Sequence, residues 1–128
     1  MKFVEAIAHI EGFYAETGDK PNRPQRNNNP GDLEFHSSMR EKYNAVLETG
    51  TPHPRFAHFP DVETGFGALN DILWSYYAEL SVYAAINKYA PPSENDTNDY
   101  VAQTCERVGC LTSDIVASIL TKEQQNNG

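Results

Sequence analysis

Positive charge is scarce in this chain: ten Lys and Arg stand against eighteen Asp and Glu, a formal net charge of −8 over 128 residues. That deficit argues against a nucleic-acid partner, because backbone binding rests on clustered Lys and Arg. It also disfavours electrostatic adhesion to an anionic envelope, so a polymer substrate would be held in a groove by hydrogen bonds and stacking. Long apolar runs are missing too. The opening MKFVEAIAHIEG carries acids inside its apolar part, so neither a signal peptide nor membrane insertion is expected. Cysteine is rare, and Cys105 and Cys110 in CERVGC suit neither a four-ligand zinc site nor a CxxC redox pair. Two readings stay open for them: a short disulfide clip at a helix end, turned by Gly109, or two buried thiols. No GK[ST] phosphate loop and no GxSxG elbow occurs, which excludes the commonest nucleotide sites and serine nucleophiles. His9, His36, His53 and His58 lack ligand spacing, so no metal and no cofactor is expected.

What is present fits one domain, residues 1–128, with 39% hydrophobic residues and a real core. The stretch Lys2 to Thr17 reads as an amphipathic helix: Phe3, Ile7, Ile10 and Tyr14 recur at helical spacing, with Val4, Ala8 and Phe13 widening the stripe. Glu11 falls on that stripe or its border. Burial there would disfavour the charged carboxylate and leave it a proton near neutral pH, which is what a general acid needs. Gly12 removes a side chain beside it and could let an extended substrate approach. The plain alternative is a Glu that snorkels from the flank of the stripe.

Thr17-Gly18 is expected to stop this helix, and GDKPNRPQRNNNPGD comes next, an ordered loop dense in turn residues. Its amides Asn27, Asn28 and Asn29 are suited to reading sugar hydroxyls, or to tying the loop to itself. Leu33 to Phe35 and Arg55 to Phe59 read as short strands of a small β-wing, with a helical turn in MREKYNAVL between them. Asp61 is expected to cap a long helix from Val62 to Leu80, weakened at Gly65 and Gly67 unless something packs close. Ser81 caps Val82 to Tyr89, Asp96 or Thr97 caps a helix to Val108, and Thr112 or Ser113 caps a last one, after which KEQQNNG frays. The fold class is therefore mainly α, five or six helices around a central buried helix, with one β-wing after the first.

Taken together, an N-terminal helix ending in Glu11-Gly12, RNNNPGDLEF, FAHFPDVETGFGAL and INKYAPPSENDTNDYV resemble the lysozyme-like superfamily. More narrowly, the chain is similar to small phage and prophage muramidases related to goose-type lysozymes and lytic transglycosylases. The resemblance covers about Phe3 to Cys110 and rests on RNNNPGDL and YAPPSENDTxxY as a pair. It implies a glycosidase that cuts the β-1,4 bond between N-acetylmuramic acid and N-acetylglucosamine in peptidoglycan, as a monomer without cofactor. It implies Glu11 as the acid, Tyr100 in DTNDYV as the residue contacting it, and Tyr89 in KYAPP lining the groove. A phage or prophage origin would put its action on the cell wall, in the periplasm or outside the cell.

Cleaving that bond requires a proton for the leaving oxygen and a group to meet the oxocarbenium-like centre. Asp32, Glu34, Asp61, Glu63, Glu94 and Asp96 could supply a second carboxylate, with Glu34 and Asp32 the choice because the wing normally forms the far wall in this fold. A carboxylate roughly 6.5–9.5 Å from Glu11 would activate water for inverting hydrolysis, whereas without one the sugar's own 6-hydroxyl attacks and leaves an anhydro end. Hydrolysis is slightly favoured. The rival expectation is a lysozyme-like module that grips glycan or a partner without cutting it.

Overall fold

The structure, a computed structural model, describes residues 1–126. Among them it is mainly helical, with seven α-helices and one two-stranded sheet. The chain forms two compact units, Ile7–Asn70 and Met1–Ala6 together with the chain from Asp71. No helix among the described residues is long and apolar enough to cross a membrane.

Helix α1, Phe3–Ile10, ends seven residues before the expected Thr17. Gly12 takes the left-handed conformation at φ +87°, Phe13 N–H bonds the Ala8 carbonyl at 2.9 Å and Gly12 N–H bonds that of His9 at 3.2 Å. This is a Schellman cap with Gly12 as the left-handed residue. Gly12 therefore terminates the helix, and the apolar residues beyond it continue the stripe in sequence but not in helical register.

In the unit Ile7–Asn70, Asn22 and Gln25 make a reciprocal capping box around α2, Arg23–Arg26. Helix α3, Met39–Tyr43, stops at Asn44 in the left-handed region. The sheet pairs β1, Val46–Leu47, with β2, Ala57–His58, antiparallel. The expected first strand, Leu33 to Phe35, contributes only one bridge, Glu34 to Phe56, and the residues read as a helix tail, Val46 and Leu47, form the strand. Ile7, Leu33, Met39, Phe59 and Leu69 are buried in this unit.

Asp61 accepts from Thr64 N–H at 2.7 Å and starts α4, Val62–Ile72, as expected. The expected continuation to Leu80 changes character: Leu73–Tyr77 is a π-helical turn. Such a turn inserts one residue and rotates the side chains beyond it about the helix axis. The loop 27–30 crosses α4 at Gly65, where an added Cβ would stand 2.0 Å from the Asn28 carbonyl oxygen and 2.9 Å from Pro30 Cδ. Gly67 has open space around the same position.

In the unit from Asp71, Ser81 caps α5, Val82–Tyr89, and Asp96 caps α6, Thr97–Val108, which ends at left-handed Gly109. Helix α7, Val116–Asn126, starts later than Thr112 or Ser113 would place it, because the Leu80 and Ala78 carbonyls accept from Val116 and Ala117 N–H and replace a side-chain cap. The tail expected to fray is helical through Asn126, and Asn127 and Gly128 lie outside the described residues. Phe3, Leu73, Val82, Ile86, Val116 and Leu120 are buried here, and Glu123 accepts from Phe3 N–H at 2.7 Å.

The two glycines of α4 should respond in opposite directions. Gly65→Ala is expected to destabilise by about 3 kcal/mol or more, since backbone must move, and Gly67→Ala to stabilise by up to about 1 kcal/mol through helix propensity. Urea denaturation of both variants checks this, and equal effects would contradict the close crossing at Gly65.

Candidate active site

The Schellman cap fixes where the first acid stands. Glu11 N–H still bonds the Ile7 carbonyl at 2.9 Å, so Glu11 is the last residue carried by α1, half-buried at its C-terminal end. Negative charge is least favoured at that end of a helix. Asn22 holds the turn in place by donating its side-chain amide to the Gly12 carbonyl at 2.7 Å.

The loop after α2 brings Asp32 to it. Asn28 and Asp32 both adopt left-handed backbone, at φ +52° and +48°, which Asn and Asp tolerate better than most residues. Asp32 N–H bonds the Asn29 carbonyl at 3.1 Å, and its carboxyl shares a hydrogen bond with that of Glu11. The Asp32 Oδ1 atom is buried with no hydrogen-bond partner. Burial, first, and the charge and hydrogen bond of Glu11 push the Asp32 carboxyl up to about 7, against the opposing pull of Arg23.

Arg23 does not neutralise the pair because it is committed elsewhere. Its Nε and a terminal nitrogen grip Glu48 at 2.9 and 2.5 Å, and its guanidinium lies 4.4 Å from the Phe56 ring centroid. Glu48 is buried and also accepts from Asn27 Nδ2 at 3.1 Å and from Arg55 and Phe56 N–H at 2.9 and 2.8 Å. Those bonds, Arg23 foremost, hold the Glu48 carboxyl well below the usual carboxylate range, so it stays charged.

The other nominated residues divide. Of the two readings open for Asn27, Asn28 and Asn29, sugar binding or ties within their own loop, the structure shows the ties. Asn27 is buried on Glu48, Asn28 donates to the Phe59 carbonyl at 3.0 Å, and buried Asn29 donates to the Leu33 and Ala57 carbonyls while accepting from Leu33 N–H. Their side-chain donors fold the loop instead. Glu34 is exposed and paired with Arg55 at 2.6 Å. Asp32 touches Glu11, so it does not stand across a water-sized gap from it. Tyr89 and Tyr100 belong to the other unit, where they meet edge to face with centroids 6.5 Å apart.

Sequence reasoning missed Arg23, Glu48 and Tyr77. The Asn22 to Gln25 capping pattern was a local signal for the turn that presents Arg23, whereas nothing in VLETG marks Glu48. Tyr77 extends the aromatic row, 5.7 Å from Tyr89, with the Lys88 ammonium 4.8 Å from its centroid. The π-helical turn puts it there, and Lys88 Nζ donates to the Tyr76 carbonyl in that turn at 2.7 Å. Cys105 and Cys110 are half-buried thiols, not a formed clip.

No protein-family model matches this chain, and no curated protein matches it in sequence. The carboxyl pair therefore carries the functional argument by its own chemistry.

Asp32 binds its proton more tightly folded than unfolded, so it lowers stability as pH rises from about 4 through about 7 and no further above that. Asp32→Asn removes the charge and keeps the shape. At pH 8 the variant should be more stable by roughly 2–4 kcal/mol, at about 1.4 kcal/mol per pH unit over that window, with the gain vanishing near pH 4. Urea denaturation at the two pH values checks this; a pH-independent difference would contradict a protonated Asp32.

Proposed function

We propose that this chain is a lysozyme-like glycosidase that cleaves the β-1,4 bond between N-acetylmuramic acid and N-acetylglucosamine in peptidoglycan, with Glu11 as its general acid. The observation that carries the reading is the carboxyl pair: Asp32, half-buried against Glu11, keeps a proton close to neutral pH. Two carboxyl groups in contact do not both ionise readily, so the pair retains one proton where an isolated surface carboxyl would have lost it.

The chemistry rests on that proton. Glu11, at the helix end, receives that proton from Asp32 across their hydrogen bond and delivers it to the glycosidic oxygen as the bond to the anomeric carbon lengthens and oxocarbenium character develops. Asp32 hydrogen-bonds Glu11 and takes up the change in charge. The pair is then short of a proton and serves as base for the incoming nucleophile, on the face from which the leaving group departed. One centre acting as acid and then base favours attack by the sugar's own 6-hydroxyl over inverting hydrolysis, which needs a second carboxylate on the opposite face. Neither nominated carboxylate supports that inverting arrangement: Asp32 is part of the acid centre and Glu34 is held by Arg55. This shifts the balance from the slight preference for hydrolysis that the resemblance carries. The resemblance assigns Tyr89 to the glycan groove and Tyr100 to the acid, and the two rings meet edge to face.

Glu11→Gln is nearly isosteric and should leave thermal unfolding within a few degrees of the parent while lowering release of soluble muropeptides from purified sacculi by about 10²-fold or more. Mass spectrometry of the products should show anhydro ends from the parent protein. Release should also fall as pH rises above about 7, as the pair loses its proton. A parent protein that binds sacculi and releases nothing would replace this reading with a glycan-binding module, and full activity in Glu11→Gln would remove Glu11 from the chemistry.

A further inference from the structure

Helix α6 ends in a cap that brings two thiols together. Gly109, at φ +79°, turns the chain, and the amides of Gly109 and Cys110 both donate to the Cys105 carbonyl, at 2.8 and 3.1 Å. In this cap the residue after the left-handed one folds back over the helical residue five positions earlier, the place usually taken by an apolar contact. Here those two residues are Cys110 and Cys105, and the Cys105 thiol is a near enough neighbour to raise that of Cys110. Both cysteines are partly exposed, and Cys110 also lines a cavity of about 370 Å³ with Lys2, Gly109, Asp114 and Glu123.

We propose that Cys105 and Cys110 are an oxidisable pair that closes the C-terminal cap of α6 with a disulfide when the protein meets a disulfide oxidant. The backbone turn already sets the approach, so no helix has to unwind to form the bond. Burial and the neighbouring thiol push the Cys110 thiol up to about 12, so exchange starts at Cys105. The Cys105 sulfur, as thiolate, attacks one sulfur of the oxidant, forming a mixed disulfide and expelling the first thiolate. Cys110 then gives its proton to solvent base and attacks the Cys105 sulfur, expelling the second thiolate. The two protein thiols are oxidised, the oxidant's disulfide is reduced to two thiols, and the proton on Cys110 makes the second step the slow one. The inference is independent of the glycosidase reading. It would give a chain acting where disulfides persist a fixed end to α6.

Incubating the folded full chain with oxidised glutathione and following intact mass tests this. A glutathione adduct should appear first and convert to a species that has lost two hydrogens, with both cysteines then refusing alkylation under denaturing conditions. The oxidised protein should melt several degrees above the reduced one. Cys110→Ser should stop at the adduct on Cys105, and this variant keeps the test valid because it leaves the Gly109 turn and the Cys110 backbone bond intact. Two separate adducts in the parent protein, thiols that remain fully alkylatable, or an oxidised form that melts lower would each overturn the proposal.

Discussion

Two carboxyl groups pressed together in a half-buried site compete for one proton, and the contact between Glu11 and Asp32 is the constraint on which the functional account depends. An isolated surface carboxyl is charged at neutral pH and has no proton to give. Burial and the neighbouring acid reverse that here, at a cost to stability borne by the surrounding loop.

The loop bears it through satisfied polar groups. Asn27 and Asn29 are buried yet bonded, Glu48 accepts five hydrogen bonds from Arg23, Asn27, Arg55 and Phe56, and Gly65 lets the strand of loop lie against α4. Arg23 shows how charge is apportioned. It is near enough to draw the Asp32 carboxyl down, but Glu48 stays ionised and occupies it, so the acid pair keeps its proton. One carboxylate is charged and structural while its neighbours share a proton, and the difference lies in how many donors each one faces.

Much of the helical framework was legible in the sequence because its signals are local. Asp61, Ser81 and Asp96 cap helices by bonding amides three residues on, and Gly109 ends α6 as expected. What failed was non-local or conformational. The apolar stripe ran on to Tyr14, and periodicity does not register that Gly12 has turned left-handed and ended the helix. Val46 and Leu47 form a strand only because residues 57–58 lie beside them. Glu11 was legible as a candidate acid, and Asp32 as a candidate partner, but spacing along a chain does not tell a carboxyl in contact from one across a gap. The amides of the NNN run look the same whether they face a sugar or their own loop. The register of Tyr77 depends on a π-helical turn that no residue in LWSYY announces.

The central claim is the shared proton, and carboxyl-carbon NMR titration of the folded protein, assigned with Asp32→Asn and Glu11→Gln, measures it most directly. The account predicts that the Asp32 resonance titrates near 7 and moves toward the ordinary carboxylate range when Glu11 is neutralised. Independent titration of both carboxyls at about 4, unchanged by removal of the other, would contradict it.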